Sequence, residues 1–212
     1  MTRLFQIITE TDARQIEPGA TVELAKGGHV TPLAADTLRE RRVTVVPAGS
    51  VDPALPTDLA PKSDVRRVAI ASDHTGVTLR AALVQHLRGR GLSVDDLGVD
   101  GTASVDYPDT AAAVARAVAR GEADAGIIID GAGIGSAIAA NKVRGVRAAM
   151  VTDETIARYA REHNGTNAMT LGSTLVQPPD AIRIVDVWLN TPMKEARYIR
   201  RLLKIRRLEE SF

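Results

Sequence analysis

The chain has 212 residues, 44% hydrophobic and 25% charged, with 27 Lys and Arg against 26 Asp and Glu and a formal net charge of +1. That balance excludes a binder that works by neutralising nucleic-acid phosphates, and 3% aromatics leave no base-stacking platform. Cysteine is absent, which excludes disulfides, thiolate metal centres and a Cys nucleophile. No apolar run is long enough to span a bilayer, and the first ten residues carry Arg3 and Glu10 with no small-residue cleavage site. Neither a membrane span nor a signal peptide is expected, and the expected location is cytoplasmic.

In chain order, Leu4–Ile8 reads as a strand, Thr9 as the N-cap of a short turn, and Thr21–Leu24 as an alternating strand. Thr31-Pro32 opens a helix with proline at its first position, running from Leu33 to about Arg41, and Val43–Val46 reads as a strand. Residues 1–46 thus form a small α+β module that buries little surface alone and is expected to pack on another chain or on the rest of this one. Val51–Lys62 holds three of the ten prolines, so a linker is placed at 47–64. From 65 to 212 the pattern becomes regular. Strands fall near Val68–Ala71, Ser93–Val94, Ala125–Ile129, Ala148–Val151 and Ala168–Leu171. Helices fall near Leu79–Arg88, Thr110–Arg120, Ser136–Asn141, Asp153–Glu162 and Asp180–Leu189, with a basic helix from about Met193. Strands that are apolar throughout, separated by amphipathic helices, predict an α/β fold: a doubly wound parallel sheet covered on both faces. Ligands bind such sheets outside the carboxyl ends of the strands.

The first strand of this domain ends in Ser72-Asp73-His74-Thr75-Gly76, a carboxylate and an imidazole suited to a sugar hydroxyl and an anion, or else a plain helix cap. The third ends in Asp130-Gly131-Ala132-Gly133-Ile134-Gly135-Ser136, whose alternate glycines let backbone N–H groups approach an oxyanion. A dinucleotide fingerprint, with Asp153 on the ribose, fits this loop only in part. Its third glycine would fall at Ser136, and Asp130 would face a pyrophosphate. The other reading makes Asp130 the reactive group. His163 and Asn164 precede Gly165 at a helix end, where the dipole favours a protonated imidazole, or where His is simply tolerated. Arg197 and Arg201 are four apart in a basic helix and can clamp one phosphate or form a solvated face.

At these residues the sequence resembles the type B ribose-5-phosphate isomerases and galactose-6-phosphate isomerase subunits. The matching stretches are Val68–Gly76, Val105–Asp109, Gly121–Val143, Gly145–Ala148, Ala157–Asn167 and Arg197–Ile205, in family order. The resemblance implies a Rossmann-like homodimer, pairing further into a tetramer in some cases, that interconverts an aldose phosphate and a ketose phosphate with no metal and no organic cofactor. It implies substrate binding by Asp73, His74 and Tyr107, and enediolate binding by Gly131, Gly133, Ile134 and Gly135. It further implies ring opening by His163, a substrate contact at Asn164, and phosphate binding by Arg197 and Arg201. Three departures stand out. Asp130 occupies the place of the family's proton-carrying cysteine, and Ala132 that of its Thr or Ser. The glutamate base of another branch would fall at Ser136. An arginine that some members add for phosphate aligns with Thr174. The reading that follows is an aldose–ketose isomerase with Asp130 as base, set against a non-catalytic sugar-phosphate-binding or assembly protein.

Residues 1–46 lie outside that resemblance. Thr9-Glu10, Pro18-Gly19, Val30–Ala34 and Leu38–Val46 are similar to the N-terminal segment of the ethanolamine-utilisation cobalamin adenosyltransferase. That similarity implies a docking module for a bacterial microcompartment partner. The alternative is an extension that covers the sheet or builds an oligomer contact.

Overall fold

The computed structural model describes residues 3–48, 59–101, 103–193 and 195–211. Most of the expected linker therefore lies outside the described residues. The chain divides into two compact units, Met1–Thr57 with Glu195–Arg200, and Asp58–Lys194 with Arg201–Phe212.

In the first unit, β1 (Leu4–Ile8), α1 (Glu10–Gln15), β2 (Thr21–Val30), α2 (Pro32–Glu40) and β3 (Thr44–Pro47) alternate. Thr9 and Asp12 form a reciprocal capping box at α1, and Thr31 caps α2 with Pro32 in its first turn. The strands lie in the order β1-β2-β3 and both pairings are parallel. A parallel pair needs a crossover, and α1 and α2 supply it. The expected small module of strands and helices is thus a βαβαβ element with parallel strands. Its core comprises Phe5, Ile8, Ala13, Ile16, Val22, Ala34 and Leu38.

In the second unit the series runs β4 (Arg67–Ser72), α3 (Val77–Gly89), β5 (Ser93–Asp96), α4 (Tyr107–Ala119), β6 (Ala125–Asp130), α5 (Ile134–Ala140), β7 (Ala148–Met150), α6 (Glu154–Asn164), β8 (Ala168–Gly172) and α7 (Pro178–Asn190). The last helix, α8 (Ala196–Glu210), contributes residues to both units. The five strands are parallel in the order β5-β4-β6-β8-β7. This is the doubly wound Rossmann-like sheet the alternation predicts. One core, with Leu83, Leu87, Ile127, Met169 and Trp188, covers one face, and a second, with Ala69, Val114, Ile128 and Ala168, covers the other. From β4 the chain crosses first to β5 on one side and then to β6 on the other. The topological switch point therefore lies between the carboxyl ends of β4 and β6, where such sheets bind ligands.

At the amino ends of the same strands, Asp124 ties the unit's first residues down. Its side chain is 4% exposed, pairs with Lys62 at 2.6 Å and Arg67 at 2.9 Å, and accepts the N–H groups of Arg66 and Arg67. Burial works to raise this carboxyl's pKa, but the two cations and two N–H donors hold it well below the ordinary carboxylate range. Leu59 is buried as well, so the second unit takes in residues before the expected boundary at 65. Among the described residues, no helix is long and apolar enough to cross a membrane.

Candidate active site

The switch point gathers the first group of sequence-predicted residues. Asp73 continues the β4–β6 ladder through its N–H to the Ile129 carbonyl, which fixes its side chain at the strand end. Its carboxylate accepts from the Thr75 N–H at 2.8 Å and the Thr75 hydroxyl at 2.6 Å. His74 Nδ1 accepts the Val105 N–H at 3.4 Å, so in the neutral ring the proton sits on Nε2. Tyr107 opens α4 with its side chain exposed, and its ring fills the space beside Gly135. A Cβ on Gly135 would meet that ring at 2.6 Å, so the glycine is what lets Tyr107 approach the loop.

Asp130 ends β6, 5% exposed, and the loop folds around its carboxylate. The N–H groups of Ala132 and Ser136 reach it at 2.8 Å, and the N–H of Gly133 donates to it as well. Gly133 holds φ +78°, a conformation costly for any other residue, and so turns the chain into α5 with Ile134 exposed at its start. Burial alone would raise the Asp130 pKa. Donors from Ser136, Gly133 and Ala132 outweigh it and leave the carboxyl below its ordinary value. The N–H groups expected to be open to a ligand are thus partly spent on Asp130. Sequence reading did not identify the braces around this loop. Thr174 donates its hydroxyl to the Gly131 carbonyl at 2.6 Å, Thr170 does the same to Gly133 at 2.6 Å, and Ser173 N–H donates to Asp130 O at 2.8 Å. Thr174, noted as the place of an absent arginine, is a support for the glycine turn. Arg80 is equally hidden from sequence. It is 3% exposed on α3 and binds the Val99 carbonyl and Asp100, against Gly98, which has no side chain to block it.

The second group lies elsewhere. Asp153 caps α6 just after β7, at the carboxyl ends of the strands, and α6 runs back to finish at Asn164 just before β8 begins. His163 and Asn164 therefore sit at the amino ends. At about 3.3 Å per residue, the length of β6 places them some 20 Å from Asp130. A single chain does not bring the expected acid His163 and the expected base Asp130 together, because a crossover helix antiparallel to its strands must end at the opposite edge of the sheet. The Tyr159 ring stacks on His163 with centroids 4.8 Å apart, and Asn164 donates to the Tyr159 carbonyl at 3.1 Å.

The later part of α8 belongs to that same end. Leu202 approaches Gly165, and Glu209 accepts the Gly145 N–H. Arg201 is exposed on this helix one turn after Arg197. Arg197 donates to the Tyr198 hydroxyl at 2.9 Å and pairs with Glu195 at 2.5 Å, contacts that raise its already high pKa. A groove of about 930 Å³ opens here beside the edge strand β7, lined in part by Ile156, Tyr159, Asn164, Ile205 and Leu208. Four of its side chains, Ile156, Tyr159, Ile205 and Leu208, are exposed apolar or aromatic groups.

Residues 68–205 match the family model described as Ribose/Galactose Isomerase. Ribose-5-phosphate isomerase B of Escherichia coli is 40% identical over 146 residues, which make up 69% of this chain and 98% of that protein. Among solved structures, ribose-5-phosphate isomerase B of Clostridium thermocellum is 44% identical with a TM-score of 0.67, covering 68% of this chain and 98% of that one. That of Mycoplasma genitalium, solved with bound ribulose-5-phosphate, is 42% identical with a TM-score of 0.66, covering 69% and 97%. The family match leaves out the βαβαβ element, so that element is this chain's addition to an otherwise whole family domain. With its switch point formed between Asp73 and Asp130 on a sheet shared with these enzymes, the chain belongs to the ribose/galactose isomerase family and is a sugar-phosphate isomerase by class.

Proposed function

We propose that the chain interconverts an aldose phosphate and a ketose phosphate, a pentose 5-phosphate or a related tetrose or hexose phosphate, through an enediolate, with Asp130 carrying the proton between C1 and C2. The observation that carries this reading is the convergence of Asp73, His74, Tyr107 and the Asp130 turn at one switch point. Asp73 and His74 hold sugar hydroxyls, Tyr107 bounds the sugar, and Gly131, Gly133, Ile134 and Gly135 supply the turn against which the enediolate rests. A free aspartate, with a pKa of about 3.9, is a weak base for a sugar α-proton. A substrate oxygen that takes over a loop N–H removes one of the bonds that lower the Asp130 pKa, so basicity rises as the enediolate forms.

The active unit is a homodimer in which the partner subunit's His163 opens the sugar ring, the partner subunit's Asn164 contacts the sugar, and the partner subunit's Arg197 and Arg201 bind the phosphate. Two features support this arrangement. One chain separates the groups by the length of its sheet, and the exposed apolar groove beside β7 is suited to cover by a second copy. The first unit, outside the isomerase match, serves assembly or docking to a microcompartment partner. The test is solvent-deuterium exchange into a panel of tetrose, pentose and hexose phosphates, which reports proton abstraction even when equilibrium hides turnover.

A second reading rests on the Asp130 geometry. A carboxylate that accepts three N–H groups caps α5, and a capping role without chemistry is that of a sugar-phosphate-binding protein. Binding of sugar phosphates without exchange on any of them favours it.

A further inference from the structure

Arg161 is fully buried in the second unit, and among the described residues its guanidinium meets two carbonyls and an aromatic ring, with no carboxylate. Its guanidinium lies over the Trp188 ring, 4.8 Å from the centroid. It donates to the Thr166 carbonyl at 2.6 Å and the Lys62 carbonyl at 2.9 Å. Burial, helped by the nearby Arg147 cation, pulls its pKa down to about 10, so the charge is held there at a cost. An apolar side chain of similar volume would fill this space without that cost.

What the buried cation holds is the turn at the end of α6. Gly165 adopts φ +55° and its N–H returns to the Arg161 carbonyl, while Thr166 N–H returns to Ala160. On the other side, Trp188 Nε1 donates to the Thr166 hydroxyl at 2.8 Å. His163 and Asn164 form the outer side of this turn.

We propose that Arg161 is a positioning residue for His163 and Asn164: by fixing the Thr166 carbonyl against the segment at Lys62, it sets the place and angle at which the two side chains are offered to a second subunit. This inference rests on the ring-opening role proposed for His163. A turn fixed from beneath by a buried fork need not be re-ordered each time a cyclic sugar binds.

The experiment compares Arg161→Lys, Thr166→Val and His163→Asn in the full-length protein. Two rates are read for each: conversion of ribose 5-phosphate, which is largely cyclic, and solvent-deuterium exchange at C1 of ribulose 5-phosphate, which is open-chain and needs no ring opening. Arg161→Lys keeps the charge and loses the fork. Expected is a loss of about tenfold or more in conversion, with exchange within about twofold of wild type and an unchanged pH dependence of exchange. His163→Asn is expected to give the same split. If Arg161→Lys does not fold, Thr166→Val, which loosens the same turn from the Trp188 side, must give it. Exchange and conversion falling together in a folded protein means a merely structural arginine and overturns the inference. A split with His163→Asn but not with either turn variant also overturns it while leaving the ring-opening role standing. No split with His163→Asn, or a wild type inert in both assays, overturns the ring-opening role and this inference with it.

Discussion

The Tyr107 ring lies so close to the Cα of Gly135 that a methyl group there would sit 2.6 Å from its ring carbons. The contact joins the start of α4 to the start of α5 across the switch point. It makes Gly135 a determinant of where Tyr107 stands. Gly135→Ala must push the ring outward, and because Tyr107 is exposed the ring can move without disturbing the core. The expected outcome is a KM raised by about fivefold or more, equivalent to roughly 1 kcal/mol of lost contact, with a melting temperature close to wild type. A Gly135→Ala enzyme with unchanged KM would remove Tyr107 from the sugar site.

A second prediction concerns Asp124 and acid stability. Its folded-state pKa is lowered, so its contribution to stability is complete above the unfolded value and is lost as pH falls through the folded one. Denaturant midpoints should therefore decline below about pH 4, and Asp124→Asn should flatten that decline. The variant should also lose about 2 kcal/mol at pH 7, since charge-assisted bonds from Lys62, Arg67 and two N–H groups go at once. Lys62 and Arg67 are half exposed and recover hydration, which keeps the figure modest. An unchanged acid limb in Asp124→Asn would assign the pH dependence to another carboxylate.

The third prediction is that residues 1–46 are dispensable for turnover. A chain beginning at Leu59 keeps the Leu59, Lys62 and Arg66 contacts of the second unit, whereas one beginning after Lys62 loses the ion pair with Asp124 and the carbonyl that Arg161 binds. The first should retain wild-type kcat, and size-exclusion chromatography should show whether assembly changes. A folded dimer that loses turnover on this truncation would place the first unit in the site.

The phosphate prediction rests on helix spacing. Arg197 and Arg201 are one turn apart on α8, and each charge-assisted contact to an anion is worth about 1.5–3 kcal/mol. Arg201→Ala should raise KM for a sugar phosphate by about tenfold or more while leaving kcat for a saturating substrate within a fewfold. Equal activity on the dephosphorylated sugar would sink the assignment and turn attention to Thr174 as a mark of a neutral substrate.

The strands and helices were legible because their apolar periodicity is local, and the position of Asp73 and Asp130 followed from strand ends alone. Local reading failed where the backbone did something unusual. β2 runs on past the expected end at Leu24 and through Gly27-Gly28, where Gly28 lets the chain pass close to the Gln6 carbonyl, beside a register shift between Phe5 and Ile7. α5 starts at Ile134 instead of Ser136 because Gly133 turns the chain early. What sequence could not give were partners far apart in the chain: Lys62 with Asp124, Arg161 with the Lys62 carbonyl, Thr174 with Gly131. The separation of His163 from Asp130 was implicit in the strand–helix alternation, since a crossover helix reverses direction. The second subunit proposed to complete the site would leave no mark in one chain's periodicity.

The last prediction turns on what Asp130 is for. Its carboxylate is both the expected base and the acceptor that closes the glycine turn, and the two roles make different demands. As a cap, it needs two oxygens and no basicity. As a base, it needs a lone pair free for the sugar proton when substrate is bound. Its lowered pKa keeps it ionised across the neutral range, so no acid limb near neutrality should arise from it, and any such limb in kcat/KM belongs to another group. Asp130→Asn keeps the shape and one acceptor oxygen but sets an amide N–H against the Ser136 N–H, so it should lose about 1–2 kcal/mol of stability as a cap mutant does. If Asp130 is also the base, exchange in deuterated water should fall by roughly 10²- to 10⁴-fold, far beyond what that loss explains in a protein that remains folded. Asp130→Cys gives up the cap but supplies a thiol, the residue usual in the family the chain resembles. It should therefore be less stable than wild type and yet exchange faster than Asp130→Asn. Wild-type exchange in a folded Asp130→Asn protein would leave Asp130 as a cap alone and place the base elsewhere in the switch-point group, with Asp73 the next carboxylate to test.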